Sequence, residues 1–222
     1  MANIRLATAG DARAIAAIYG PYCESTVISF ESTAPTAEEM ARRVTAIGAT
    51  KPWIVLESAC GPSEARSGRA SACGAPRASE DDGRVIGYAY ASAHHERAAY
   101  RWSVSTAIYV GHGHHRRGAG RALYTTLFEL LRHLGYYQAV AGITLPNPAS
   151  VGLHEAMGFE LVGVYRDIGH KLGAWRDVGW YQASIQPLPP DPQEPLPIEA
   201  LNGTSAWDAA MRQGLDLYVH RS

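Results

Sequence analysis

A glycine-containing turn at residues 115–121, His-Arg-Arg-Gly-Ala-Gly-Arg, is the segment best suited to bind a ligand. Gly118 and Gly120 let the backbone approach a ligand closely, and a long amphipathic pattern follows directly. The first amides of a helix have no partner within the helix, and the helix dipole favours negative charge there. This segment, called the glycine turn below, therefore predicts a site for phosphate oxygens. Three arginines add positive charge to it: Arg116, Arg117 and Arg121.

The glycine turn matches neither of two common nucleotide-binding motifs. A P-loop requires Lys and then Ser or Thr after its last glycine, whereas Arg121 and Ala122 follow Gly120. The dinucleotide fingerprint requires a third glycine three residues later, where Leu123 stands. A tight strand-to-helix turn with incidental arginines stays open as an interpretation of these residues alone.

Histidine and cysteine are the other residue types here that could do chemistry. His112, His114 and His115 lie close together in the chain, but no cysteine or paired carboxylate accompanies them, which disfavours a zinc site. Cys23 beside Tyr22 is interpreted as a small buried hydrophobe rather than a nucleophile. The cysteines are odd in number and lack C-x-x-C spacing, which disfavours a disulfide framework: Cys23, Cys60 and Cys73. We expect no metal.

The elements around the turn alternate between strand and helix patterns. Strand patterns occupy residues 4–7, 53–57, 85–93, 103–110, 139–145, 160–165 and 178–185. Helical patterns begin at Asp11 and Thr36 and cover residues 118–135 and 150–157. Because strands and helices interleave, the sequence predicts an α+β (α/β-like) fold with helices packed on a sheet.

Composition limits the partners of the chain. Its 222 residues carry 20 Lys plus Arg against 21 Asp plus Glu, a net charge of −1. A chain this neutral has no global field to hold nucleic acid or an anionic membrane. No apolar run approaches the ~20 residues of a transmembrane helix, and the N-terminus lacks the pattern of a secretory signal. We expect a cytoplasmic protein that binds neither nucleic acid nor membrane.

Two segments depart from the pattern of a packed domain. From Ser58 through Arg84 the chain has no Val, Ile, Leu, Met or aromatic residue, so it cannot bury enough apolar surface to offset its ordering entropy. Prolines accumulate after residue 186 and predict an extended tail, with a short terminal helix over 206–217. The sequence thus predicts one domain, residues 1–186, with a mobile insertion at 58–84 and a Pro-rich C-terminal tail at 187–222.

Four stretches resemble the GNAT superfamily of N-acetyltransferases, and within it the phosphinothricin and methionine sulfoximine N-acetyltransferases. They are residues 25–30, 103–121, 145–159 and 169–180. The resemblance covers residues 3–186 apart from the insertion. It implies a GNAT fold, in which a mixed central sheet is splayed at the cofactor site and flanked by helices. It also implies acetyl transfer from acetyl-CoA to the amine of a small amino-acid-like molecule, and leaves a homodimer possible.

The resemblance assigns roles to individual residues. Pantetheine would pair with the end of the strand before the turn, and the pyrophosphate would rest on the amides of the turn. Asn147 and Ser150 would contact the arm of the cofactor, although both are also favoured as helix caps. The implied cofactor residues are Ile108, Tyr109, Val110, Arg116, Arg117, Gly118, Ala119, Gly120, Arg121, Asn147 and Ser150. The implied substrate residues are Phe30, Arg97, Tyr100 and Lys171.

The chain departs from the family at the proton acceptor. The family's glutamate falls at Ser105, which cannot act as that base, while His154 matches the family's histidine beside the active site. His154 and Glu24 are possible substitutes for the missing carboxylate. The departure keeps two alternatives open: a catalytically weak acyl-CoA-binding relative and an enzyme for a different amine. The anion-binding turn leaves a third, more remote alternative, a nucleotide-binding regulatory module.

Overall fold

The computed structural model describes residues 2–58 and 84–218. The predicted insertion at 58–84, including Cys60 and Cys73, lies outside the described residues except for its two ends. Among the described residues, no helix is both long enough and apolar enough to cross a membrane.

The described strands form one mixed sheet. The strands are β1 (Asn3–Leu6), β2 (Trp53–Ser58), β3 (Arg84–Ala93), β4 (Ser103–Val110), β5 (Gln138–Leu145), β6 (Glu160–Lys171) and β7 (Ala174–Ser184). The helices are α1 (Ala12–Glu24), α2 (Ala37–Gly48), α3 (Ala119–His133), α4 (Pro148–Ala156) and α5 (Ser205–Leu215). The strand order is β1-β2-β3-β4-β5-β7-β6, and β4 and β5 are parallel neighbours while the other pairs are antiparallel. The predicted α+β fold is confirmed.

Helix α3 covers one face of the sheet because its apolar residues recur at helical spacing. The five leucines of its inner face have no exposed area: Leu123, Leu127, Leu130, Leu131 and Leu134. Burying one such side chain contributes about 1.5–3 kcal/mol, so this stripe anchors the glycine turn at the start of α3.

Helices α1 and α2 cover the other face. Ile15, Met40 and Val44 bury against Trp53 and Tyr88 of the sheet. The predicted cap of α2 is confirmed, since Oγ1 of Thr36 accepts a hydrogen bond from the Glu39 amide, 3.1 Å away. The sheet therefore has a helix layer on each side and carries two separate apolar cores.

The C-terminal segment after residue 197 packs against α3 of the domain. Helix α5 packs on α3, and Ile198, Leu201 and Met211 are buried in the same core as the leucines of α3. The prolines do set an extended path from 187 to 197, as predicted. Beyond them, however, the apolar side chains bury enough surface to hold the segment against the sheet.

Candidate active site

Strands β4 and β5 separate in the middle of the sheet. Their parallel pairing runs from Ser103 and Gln138 to Ser105 and Val140, whereas both strands continue five residues further. A narrow cleft of about 60 Å³ opens between the diverging ends. It is lined by Thr106, Ala107, Ile108 and Tyr109 of β4 and by Ala141, Gly142, Ile143 and Thr144 of β5. Strand edges that leave a ladder present backbone donors and acceptors to an extended ligand.

The glycine turn follows the end of β4. Gly118 has a φ of +84°, and a Cβ there would lie 2.1 Å from the carbonyl oxygen of Leu217. The first hydrogen bond within helix α3 runs from the Ala122 amide to the Gly118 carbonyl. The amides of residues 119–121 therefore have no acceptor within the helix. The three arginines of the turn are exposed. This arrangement can hold an anion, as the sequence predicts.

His115 holds the glycine turn against β4. Its Nε2 lies 3.0 Å from the carbonyl oxygen of Val110 and 3.0 Å from the hydroxyl of Tyr22. Tyr22 also donates to the Val110 carbonyl at 2.6 Å. Among the described residues there is no group of His, Cys, Asp and Glu that could hold a metal ion.

His154 forms part of the cleft wall and uses both ring nitrogens. Nδ1 donates to the carbonyl oxygen of Ser150 at 2.7 Å, so Nε2 accepts from the hydroxyl of Tyr124 at 2.8 Å. Burial lowers the pKa of His154 below its ordinary value and raises that of Tyr124, so both groups are neutral. Asn147 caps α4 by accepting from the Ser150 amide at 3.1 Å. Sequence reasoning missed Tyr124, because only the packing of α3 on α4 brings it to the cleft.

A larger cavity of about 700 Å³ adjoins the cleft on the α1 side of the sheet. Ile28, Tyr109, Gly142 and Thr144 line both spaces. The remaining walls are Tyr19, Ser29, Phe30, Glu31, Tyr165, Ile168, Val178 and Trp180. The size falls within the range of small-molecule sites, and the lining is mostly apolar with a few polar groups.

Lys171 fixes the loop that closes this cavity. Its ammonium donates to the backbone carbonyls of Cys23, Ser29 and Glu31 at 2.5, 2.5 and 2.7 Å. All three donors of the buried amine are therefore used, one by the last turn of α1 and two by the loop that follows it. The resemblance placed Lys171 in the substrate pocket, whereas the structure places it behind the loop that carries Phe30.

The other residues predicted for substrate and catalysis lie apart. Arg97 and Tyr100 are exposed in the connection between β3 and β4, and neither lines the cleft or the cavity. Glu24 is exposed at the end of α1 and is also outside both spaces. Phe30 does line the cavity. The predicted residues that line the cleft or the cavity are Ile108, Tyr109, Asn147, Ser150, His154 and Phe30, whereas Arg97, Tyr100, Glu24 and Lys171 line neither.

Ser105, where the resemblance implies a glutamate, is the last residue of β4 that pairs with β5 before the two strands separate. Its hydroxyl lies 3.1 Å from Nδ1 of His94, a residue that the sequence analysis did not single out. His94 follows the last residue of β3, and no hydrophobic periodicity or motif in the sequence indicated it as a functional residue.

Known proteins are similar to this chain over most of its length. A family model described as the acetyltransferase (GNAT) family matches residues 50–159. A phosphinothricin N-acetyltransferase of Streptomyces viridochromogenes is 35% identical over 195 residues, which cover 87% of this chain and 94% of the relative. An L-methionine sulfoximine/L-methionine sulfone acetyltransferase of Salmonella typhimurium is 34% identical over 48% of this chain and 63% of the relative. The solved GNAT superfamily phosphinothricin acetyltransferase of Sinorhizobium meliloti, in complex with AcCoA, has a TM-score of 0.74 and 34% identity, covering 88% of this chain and 95% of that one.

Proposed function

This chain belongs to the GNAT family of acetyltransferases, and we propose that it transfers the acetyl group of acetyl-CoA to the amino group of a small amino-acid-like substrate. Substrates of the phosphinothricin, methionine sulfoximine or methionine sulfone type are the first to test, because the relatives carry those names. The resemblance that the sequence analysis drew from four stretches is confirmed.

The observation that carries the proposal is the opening between β4 and β5, which adjoins the 700 Å³ cavity and runs along the strand that leads to the glycine turn. The amides of residues 119–121 suit a pyrophosphate. The free edge of β4 from Thr106 to Val110 spans roughly 13 Å at the rise of a strand and suits an extended arm. A thioester carried along that edge would arrive where the cleft meets the cavity.

The cavity suits a small polar amine. Tyr19, Ser29 and Glu31 supply polar groups among aromatic walls. Trp180 lines the cavity, and its buried indole nitrogen has no hydrogen-bond partner among the described residues. An indole N–H can only donate, and a rotation of this side chain toward the cavity would let a substrate oxygen accept from it. This donor supports a substrate with a carboxylate, phosphinate or sulfone group.

The reaction needs three contributions from the site. The amine must lose a proton, the carbonyl oxygen must be stabilised as charge develops, and the thiolate must leave. Strand-edge amides of β4 can stabilise the oxygen, and holding both substrates in line supplies much of the rate. His154 and Tyr124 are neutral and hydrogen-bonded to each other, so we propose that they shape the cleft wall and do not remove the amine proton.

One observation favours a second candidate function. Ser105 stands where the family has its glutamate, and this favours a catalytically weak acyl-CoA-binding relative. An assay of CoA thiol release with phosphinothricin, methionine sulfoximine and methionine sulfone separates the two: release above a no-amine control supports the enzyme, and binding of acetyl-CoA without release supports the weak relative. Calorimetry with acetyl-CoA and ATP tests the nucleotide-binding module, which requires ATP to bind.

Location and assembly complete the proposal. We propose a cytoplasmic enzyme and a homodimer. Exposed apolar side chains on and between β6 and β7 support a dimer: Leu161, Val162, Tyr165, Ile168, Leu172 and Trp175. Sedimentation equilibrium tests it, since a monomer at micromolar concentration would exclude the dimer.

A further inference from the structure

Ser105 and His94 form a hydrogen-bonded pair at the apex of the cleft. The hydroxyl and Nδ1 are 3.1 Å apart. The register of β3 on β4 pairs Ala93 with Val104, which brings the next residue, His94, beside the start of β4. Side chains alternate along a strand, so Ser105 points to the same side of the sheet as Tyr109, which lines the cavity. The pair therefore lies on the cavity side of the sheet where the strands begin to diverge, one residue before the stretch of β4 that lines the cleft, and neither residue lines the cleft or the cavity itself.

Other ionisable groups at the cleft and cavity are already committed. Glu31 accepts from Arg43 at 2.8 and 3.2 Å and from the hydroxyl of Tyr19 at 3.0 Å. His154 uses both ring nitrogens, as described above. Burial raises the pKa of Tyr109, so its phenol keeps its proton. None of these groups offers a free base to an incoming amine.

His94, in contrast, has one ring nitrogen that no protein group engages among the described residues. Among the described residues, its Nε2 has no hydrogen-bond partner, and the ring is only half-buried. The groups that face the ring are the Ser105 hydroxyl of β4 and the ring of Tyr100, whose centroid is 5.9 Å away in an edge-on arrangement. His95 lies on the Tyr100 ring at 4.9 Å. An imidazole placed in this way can take a proton on one nitrogen and lose one to solvent from the other.

We propose that Ser105 and His94 form a proton relay for the amine substrate, an inference that rests on the acetyl transfer proposed above. The Ser105 hydroxyl accepts a proton from the substrate ammonium and passes its own proton to Nδ1 of His94, whose Nε2 releases a proton to solvent. The neutral amine attacks the thioester carbonyl carbon, so that a C–N bond forms. The C–S bond then breaks, with its electron pair leaving on sulfur.

The remaining proton balance is simple. The nitrogen carries one excess proton after the attack, and this proton goes to the departing thiolate. Each turnover therefore yields an amide, the thiol of CoA and one proton released to solvent through His94. No further reactant is needed. The relay would thus perform the task for which Ser105 alone has no basic group.

The test uses two single variants and their combination. His94→Asn keeps a side chain that can hydrogen-bond to Ser105 but removes the imidazole, and Ser105→Ala removes the hydroxyl. Each should lower kcat for the amine about 100-fold or more near neutral pH, with the KM for acetyl-CoA unchanged. The double variant should be no slower than His94→Asn, because both residues serve one step. The rates of the variants should approach the wild-type rate as rising pH deprotonates the free amine, which a merely structural defect would not produce.

Controls separate this inference from the proposed function. His95→Asn, at the neighbouring exposed histidine, should keep the wild-type rate. A wild type that releases thiol, together with a His94→Asn variant of equal kcat at neutral pH, would overturn the relay and leave acetyl transfer standing. A double variant whose reduction in kcat equals the product of the two single reductions would also overturn the relay.

A second readout does not depend on turnover. The ring signals of His94 in NMR spectra should shift in Ser105→Ala, while those of exposed His133 stay in place. Unchanged His94 signals would overturn the pair even if the wild type transfers no acetyl group. If His94→Asn fails to fold, the NMR measurement and the kinetics of Ser105→Ala still test the proposal.

Discussion

The hydroxyl of Tyr124 in α3 donates a hydrogen bond to Nε2 of His154 in α4, 2.8 Å away, although 30 residues separate them in the chain. Nδ1 of the same ring donates to the Ser150 carbonyl, so the histidine is saturated. The resemblance had made His154 a candidate for proton transfer. Its hydrogen bonds favour a different role, that of a neutral, fixed part of the wall against which an acetyl-CoA arm would lie.

The stability of the protein should depend on the protonation of His154. Burial lowers its pKa in the folded state, so below the ordinary imidazole value of about 6.5 the unfolded state binds more protons. The free energy of unfolding should therefore fall as the pH drops from 7 to 5. The fall should be smaller in His154→Gln than in the wild type, as measured by urea unfolding at each pH. The exposed His133→Gln serves as control, and an equal fall in all three proteins would contradict the prediction.

Lys171→Met should weaken both the fold and the binding of the amine. The substitution leaves three backbone carbonyls, one at the end of α1 and two in the loop after it, without their donor, and each unsatisfied buried group costs about 1–3 kcal/mol. We expect a lower Tm and a raised KM for the amine, with binding of acetyl-CoA unchanged. Lys51→Met, at the only other lysine of the chain, is the charge-matched control. A wild-type Tm and KM in Lys171→Met would show that the loop holds its shape without the ammonium.

Gly120→Asp should abolish the stabilisation by acetyl-CoA. A ligand at a hundredfold excess over its Kd stabilises the fold by about 2.7 kcal/mol, which a thermal melt detects. The aspartate adds a negative charge beside the turn amides, and its Cβ would lie 2.9 Å from Cδ2 of Leu153, so Leu153 must shift as well. Gly48→Asp is the control, because a Cβ at Gly48 meets no atom within 4 Å. A normal shift in folded Gly120→Asp would remove the glycine turn from the binding site.

Trp180→Phe should raise the KM for the amine while leaving acetyl-CoA binding unchanged. Phenylalanine keeps the aromatic wall of the cavity but removes the indole donor that has no partner among the described residues. Losing one hydrogen bond to a charged substrate oxygen costs about 1.5–3 kcal/mol, or roughly 10- to 150-fold in KM. Steady-state kinetics over a series of amines checks it. Trp175→Phe, at an exposed position, is the matched control.

Removing residues 59–83 and closing with a linker of about five residues should leave folding and activity intact. The sequence of this segment offers no apolar anchor. Ser58 and Arg84 are paired across β2 and β3, so a short turn can join them. The shorter loop should stabilise the fold by about 1 kcal/mol, since closure entropy grows slowly with length. Soluble yield, Tm and thiol release of the shortened chain are the measurements, and loss of soluble protein would show that the segment contributes to packing.

Much of the fold was predictable because it depends on local patterns. The leucine spacing placed α3 within two residues of its observed ends, and Thr36 marked the start of α2. The C-terminal segment was predicted less well. Its prolines predict an extended chain when only neighbouring residues are considered. The burial of Ile198 and Met211 instead depends on contacts with α3 that form only after folding.

The candidate site divides in the same way. The glycine turn and the Asn147 cap could be inferred because each acts through its own backbone and its immediate neighbours. Lys171, Tyr124 and His94 could not, since their partners lie 148, 30 and 11 residues away in the chain.

The sequence by itself predicted the family, the sheet with its helices, an anion-binding turn and a serine, Ser105, where the resemblance implies a glutamate. These follow from local periodicity, local backbone requirements and residue identity. Only the tertiary structure decided that β4 and β5 part at Ser105, that His154 is saturated and that His94 lies against the Ser105 hydroxyl. Each of those depends on strand register and helix packing, which bring distant side chains within hydrogen-bond distance and leave no periodic signal in the chain.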